Sequence, residues 1–199
     1  YLAYVDGKPR YDGVASFLAA RGVDLPWGDP SDPPGDDTVC AMGNRKNDTF
    51  NEVLARDGIA AYPGSAALLE QLDSIGVPQA IVSSSKNART VLAAAGMSER
   101  FPVVVDGTTA ASLDLAGKPD PAMFRHAAAE LGVAHDRAIV VEDATSGVAA
   151  GAAGGFAFVL GVDRGGNADA LREAGADLVV GDLGETLTPT RPTADEDAS

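Results

Sequence analysis

Glu142 and Asp143 stand side by side at the end of the apolar run Ala138–Val141, followed by small residues, Ala144-Thr145-Ser146-Gly147. Two neighbouring carboxylates repel each other, so the pair makes most sense with a cation between them. The run before them predicts a strand buried on both faces, as in a parallel sheet covered by helices. In such sheets the functional crevice lies at the carboxyl ends of the strands. Three further stretches could line the same edge. Ser83-Ser84-Ser85-Lys86-Asn87 runs from a strand end into a helix start. Its hydroxyls, backbone N–H groups and lysine form either a phosphate cradle or a helix cap with a polar turn. In Gly117-Lys118-Pro119-Asp120-Pro121, two prolines stiffen the backbone around Asp120 and direct Lys118. A lysine before proline is ordinarily an exposed loop residue, but beside a cradle and a carboxylate pair it reads as part of an anion site. Gly43-Asn44-Arg45-Lys46-Asn47 is read as a basic loop before a helix, either binding an anion or simply solvated.

Other chemistries find no support in the sequence. His126 and His135 have no partner at metal-ligand spacing and are read as surface residues. No Ser/His/Asp or Cys/His set can be assembled. Gly151, Gly154 and Gly155 do not form a dinucleotide-binding fingerprint and suggest close helix–sheet packing instead. Asp106 reads as a turn former before Gly107.

The elements that must position these residues alternate along most of the chain. Gly13–Arg21 and Asn47–Asp57 are predicted as amphipathic helices, separated by a proline- and aspartate-rich loop, Leu25–Asp37. From Tyr62 onward helices and short apolar strands take turns. Helix Ser65–Ile75 leads to strand Val77–Ser83, and helix Asn87–Ala95 to strand Val103–Asp106. After a loop, Gly107–Asp120, come a helix from Pro121 to Leu131 and the strand ending at Glu142. Helix Ser146–Ala153, strand Phe156–Leu160, helix Ala168–Ala174 and strand Leu178–Val180 complete the pattern. This order predicts an α/β, Rossmann-like parallel sheet with helices on both faces, over residues 61–185. Residues 1–60 would add a small, incomplete helical unit, and residues 186–199 a disordered acidic tail.

The bulk properties bound the partners. The 199 residues carry a formal charge of −14 and a pI near 4.3, which argues against nucleic acid or an anionic membrane surface as partner. No apolar run reaches the roughly 18–20 residues of a membrane span. Cys40, the one cysteine, cannot form an internal disulfide, so a reducing, cytoplasmic setting is expected, with the chain a monomer or weak dimer. Arginine outnumbers lysine, and the four lysines, Lys8, Lys46, Lys86 and Lys118, all fall in predicted connections. Either lysine is kept where a compact point charge is wanted, or four residues landed on loops by chance.

Taken together, Ser-Ser-Ser-Lys-Asn after a strand, Gly-Lys-Pro-Asp-Pro before a helix and Val-Val-Glu-Asp-Ala-Thr-Ser-Gly-Val resemble the haloacid dehalogenase-like hydrolase superfamily, in its β-phosphoglucomutase-type branch. The resemblance covers about Tyr62–Gly181, and the first sixty residues are similar, more loosely, to the family's helical cap. It implies a Mg²⁺-dependent phosphatase or phosphomutase acting on a small phosphorylated sugar through an aspartyl-phosphate. Ser83 would hydrogen-bond the transferring phosphoryl group and Lys118 would neutralise its charge; these are the implied catalytic residues. Glu142 and Asp143 would hold Mg²⁺. Ser84, Lys86 and Asn87, with Gly43, Arg45 and Lys46 from the cap, would contact substrate. One departure stands out. The family opens with an apolar strand ending in Asp-x-Asp, whose first aspartate is the nucleophile, and no such strand occurs in these residues. Asp195-Glu196-Asp197 has the letters but lies in the polar tail. The sequence therefore reads as lacking its N-terminal portion, with two unpaired strand edges facing a gap and the 199-residue chain inactive by itself. A non-catalytic phosphate- or metabolite-binding domain is the alternative.

Overall fold

The computed structural model of the protein describes Val5 and residues 7–187. Of the predicted tail, residues 186–199, the part from 188 onward, including Asp195-Glu196-Asp197, lies outside the described residues, and Thr186 belongs to an ordered turn. Leu183–Thr186 forms a closing 3-10 turn, with a capping box between Asp182 and Glu185.

Helix α1 (Arg10–Ala19) packs on α2 (Val39–Asp57) through Val14, Leu18 and Val39, with Tyr11, Leu25 and Met42 at the margin. Helix α2 is eight residues longer at its start than the sequence suggests. The Thr38 hydroxyl accepts from the Ala41 N–H as N-cap, and the Pro26 and Trp27 carbonyls take the Val39 and Cys40 N–H groups. Gly43-Asn44-Arg45-Lys46-Asn47 is therefore helix and not loop. At Gly43 a Cβ would stand 2.8 Å from the Tyr11 ring, so the missing side chain lets that ring lie directly against α2.

The remainder alternates as expected: α3 (Pro63–Ser74), β1 (Ala80–Val82), α4 (Ala88–Ala94), β2 (Val103–Val105), α5 (Gly107–Ser112) and α6 (Ala122–Glu130). Then come β3 (Ile139–Glu142), α7 (Thr145–Ala153), β4 (Phe158–Val162), α8 (Ala168–Glu173) and β5 (Leu178–Val180). Helix α5 occupies the predicted loop Gly107–Asp120. It forms because the buried Asp106 carboxylate accepts from the Thr108 and Thr109 N–H groups at its N-cap.

All strand pairs are parallel. Strand β1 pairs with β2, and β3, β4 and β5 pair in that order, with Val140 opposite Val159 and Gly161 opposite Val179. Among the described residues, the second edges of β1 and β3 have no strand partner. The core nonetheless spans both sheets. Phe124, Val140, Val148, Val159 and Leu171 form one buried cluster that Val82 of β1 joins, and Val82 also packs on Val105 and Met123. Each such aliphatic side chain contributes about 1.5–3 kcal/mol on burial. Gly151 brings α7 onto β3 and β4, since a Cβ there would sit 3.1 Å from both Val140 and Val159.

Strand β3 departs from the expected burial on both faces. Val140 is buried, but Ile139 is 62% and Val141 43% exposed. Their face is shared through the register with Phe158 and Leu160, where Leu68 of α3 covers Leu160 and the β3 side chains are left outside. An apolar run reports what a strand can bury, not whether a helix covers it.

Candidate active site

The carboxyl ends of β1 and β3 are joined by one side chain. Lys118 follows Gly117, and the turn is closed by the Asp120 N–H on the Gly117 carbonyl. The Asp120 carboxylate then accepts from the Ala122 N–H at the start of α6. The Lys118 side chain is almost wholly buried. Its Nζ donates to the Val82 carbonyl at 3.2 Å and to Glu142 Oε1, and lies 4.8 Å from the centre of the Phe124 ring. A buried ammonium survives only when its charge is paired and it finds hydrogen-bond acceptors, and Lys118 has a carboxylate partner and a backbone carbonyl. Glu142 is equally constrained. Its second oxygen accepts from the Ala144 N–H at 3.2 Å, and its carboxylate rests on Gly147, where a Cβ would be 2.2 Å away. Asp143 is exposed at the same edge, and its carbonyl accepts from Asn167 Nδ2.

The Ser83–Asn87 turn combines both readings of its sequence. The Ser83 hydroxyl accepts from the Ser85 N–H and the Ser85 hydroxyl from the Asn87 N–H, which are local turn bonds. Ser84 Oγ donates to the Gly7 carbonyl at 2.9 Å and so ties the turn to the N-terminal segment. Gly107 packs against it so closely that a Cβ would stand 2.7 Å from the Ser84 carbonyl oxygen. The turn is a rigid platform whose hydroxyls and lysine border open space.

That space is a cleft of about 620 Å³ between the strand ends and the helical pair. Ser83, Ser84, Lys86, Asn87, Gly43, Lys46, Lys118, Glu142 and Asp143 all line it. Arg45 does not: it projects to the outer side of α2 and pairs with Asp36, both groups being exposed. The structure adds Lys8, Arg10 and Asn47. Arg10 Nη2 donates to Asn47 Oδ1 at 2.6 Å, and Lys8 Nζ donates to Ser16 Oγ at 2.7 Å. A signal for this segment was available. Gly7-Lys8-Pro9 repeats the Gly117-Lys118-Pro119 tripeptide, and both border the cleft. All four lysines of a chain with net charge −14 thus face one cavity, joined by Arg10. Such focusing favours an anion.

Among the described residues, no three His, Cys, Asp or Glu side chains converge as a metal cluster. Glu142 and Asp143 offer oxygen donors of the type that Mg²⁺ prefers, and Asp143 is accessible from the cleft. Glu142 is engaged by Lys118, so the pair fits as part of a donor set and not as a complete one.

The model of the haloacid dehalogenase-like hydrolases matches residues 7–155. The chain belongs to that family. Its branch is the β-phosphoglucomutase-like one. A β-phosphoglucomutase of Mycobacterium bovis is 49% identical over 190 residues, covering 94% of this chain and 72% of the relative. Hexitol phosphatase A of Escherichia coli is 34% identical over 198 residues, covering 98% of this chain and 80% of that one. A crystal structure of a β-phosphoglucomutase from Clostridium difficile superposes with a TM-score of 0.71 at 25% identity, covering 91% of this chain and 74% of that one. As a haloacid dehalogenase-like hydrolase, the chain is a phosphoryl-transfer enzyme acting through an aspartyl-phosphate on a small phosphorylated substrate. Membership also implies dependence on Mg²⁺. Among the described residues no helix is long and apolar enough to cross a membrane.

Proposed function

We propose that the cleft binds a small sugar phosphate, with its phosphoryl group at Ser83 and Lys118 and its sugar toward Lys86, Asn87 and the α1–α2 cap. The observation that carries this reading is the convergence of all four lysines and Arg10 on one cavity of an acidic chain. Charge neutralisation by positioned cations is the main demand of phosphoryl transfer. Lys118 already faces the strand ends, with its charge held in place by Glu142 and the Val82 carbonyl. Asp143 and Glu142 would hold Mg²⁺, which when bound offsets negative charge on the phosphoryl oxygens. The relatives named a β-phosphoglucomutase and a hexitol phosphatase support a hexose or hexitol phosphate, and the greater identity to the former favours the mutase. The acidic composition and single cysteine support a cytoplasmic setting.

In this reading the attacking aspartate enters on a strand between the edges of β1 and β3 that have no strand partner among the described residues, the edges that Lys118 already bridges. The 199-residue chain then binds substrate without turning it over. The test is conversion of β-glucose 1-phosphate, and phosphate release from it, with Mg²⁺, measured for this chain with and without an N-terminal strand ending in Asp-x-Asp. Binding without turnover by the shorter chain, and turnover by the longer, is the expected result. Robust turnover by the shorter chain would overturn the placement of the nucleophile.

A further inference from the structure

We infer that Asn47 is the joint between the cap and the phosphate turn, a positioning residue that holds Arg10 over the cleft. Its side-chain oxygen is shared by donors from opposite walls. Arg10 Nη2 approaches from the start of α1 at 2.6 Å and Asn87 Nδ2 from the start of α4 at 2.7 Å. A guanidinium has only donors, so the amide must present its oxygen to Arg10. That oxygen has two lone pairs, and both are used. Rotating the Asn47 side chain therefore breaks the cap contact and the core contact together.

The surrounding bonds make this joint stiff on one side and sparse on the other. On the cap side, Arg10 Nη1 and the Tyr11 hydroxyl both donate to Asn44 Oδ1, at 3.3 and 2.9 Å. Asn44 Nδ2 in turn donates to the Pro30 and Asp32 carbonyls, so the guanidinium is braced by the loop before α2. Asn44 and Asn47 lie one helical turn apart and present their oxygens to the two nitrogens of one fork. On the core side, the Asn47–Asn87 bond and the bond from Ser84 Oγ to the Gly7 carbonyl tie the cap segments to the turn. Asn87 immediately follows Lys86 at the N-terminal boundary of α4, so a tug on Asn87 is felt at the platform that borders the phosphoryl group. The α2 helix is thus an arm whose Asn47 sets the spacing between Arg10 and that platform.

This role rests on the cleft being a sugar-phosphate site, and the test separates the two ideas. Hydrogen exchange and ligand titration are measured on the 199-residue chain, as wild type, Asn47→Ala and Asn47→Asp. Inorganic phosphate and β-glucose 1-phosphate serve as probes. In Asn47→Ala, exchange rises at the start of α1 and around Asn87 while the melting temperature stays within a few degrees of wild type. Affinity for the sugar phosphate falls about tenfold, the scale of one lost charge-assisted bond. Affinity for inorganic phosphate, which needs only the core end, changes less than twofold. Asn47→Asp keeps an acceptor for both donors and restores the wild-type exchange pattern. Unchanged exchange at both places in Asn47→Ala, or equal losses for the two probes, overturns the joint while leaving the cleft assignment standing. Failure of the wild type to bind either probe overturns both.

Discussion

The two ends of the cleft are built on different physics. At the core end, Lys118 and Glu142 are buried charges that satisfy each other, with the Val82 carbonyl, the Ala144 N–H and the Phe124 ring filling in around them. At the cap end, Arg10 is part-exposed and held by neutral amides on one face of α2. Removing a partner at the core end strands a charge that has little access to water, whereas the cap end can fall back on solvent. The core end should therefore couple stability to binding, and the cap end should tune binding alone.

The sharpest way to break that contrast is Lys118→Met. It leaves Glu142 buried without its cation and should cost about 3–5 kcal/mol in denaturant unfolding, together with phosphate binding. Adding Glu142→Gln removes the stranded charge, so the double variant should recover most of the stability and none of the binding. If Lys118→Met unfolds like wild type, the pair is solvated and the proposed asymmetry fails.

A paired glycine experiment sharpens the comparison at smaller scale. Gly147→Ala places a Cβ 2.2 Å from the Glu142 carboxylate, which is pinned by Lys118 and Ala144 and has little room to give. Overpacking of about 1–3 kcal/mol outweighs a gain of roughly 1 kcal/mol in helix propensity, so the variant should be less stable and bind phosphate less tightly. Gly43→Ala meets the edge of the part-exposed Tyr11 ring at 2.8 Å. That ring can swing outward, so stability should stay within about 1 kcal/mol of wild type. The movement displaces the adjacent Arg10, and sugar-phosphate affinity should fall while inorganic phosphate affinity holds. Equal effects of the two glycines on unfolding would show that both ends are equally stiff.

The same asymmetry explains what could be read from the sequence. The core end is written in short stretches, each placing its chemistry within a few residues of a strand end. The alternation of elements then brings Ser83, Lys118 and Glu142-Asp143 to one sheet edge. The cap end is assembled from residues 37 apart, Arg10 and Asn47, in polar segments with no strand to mark them. Gly43 misled because glycine in a basic stretch suggests a loop, while here it serves the contact with Tyr11 inside a helix. The exposure of Ile139 and Val141 was illegible for a related reason: local apolarity carries no information about which helix reaches which face.

The smallest expected effect belongs to Arg45, the one basic residue of Gly43–Asn47 that turns away from the cleft. Its ion pair with Asp36 is between exposed groups, and pairs of that kind contribute about 0–1 kcal/mol. Arg45→Ala should change unfolding by less than about 0.5 kcal/mol and leave affinity for β-glucose 1-phosphate within twofold of wild type. Arg10→Ala, measured beside it, should weaken the sugar phosphate about tenfold, because among the described residues Arg10 is the only guanidinium lining the cavity. A tenfold loss in Arg45→Ala would mean that α2 rotates on binding to bring its outer face inward. The helix would then be a moving jaw, and the Asn44–Asn47 face described above would be its open position.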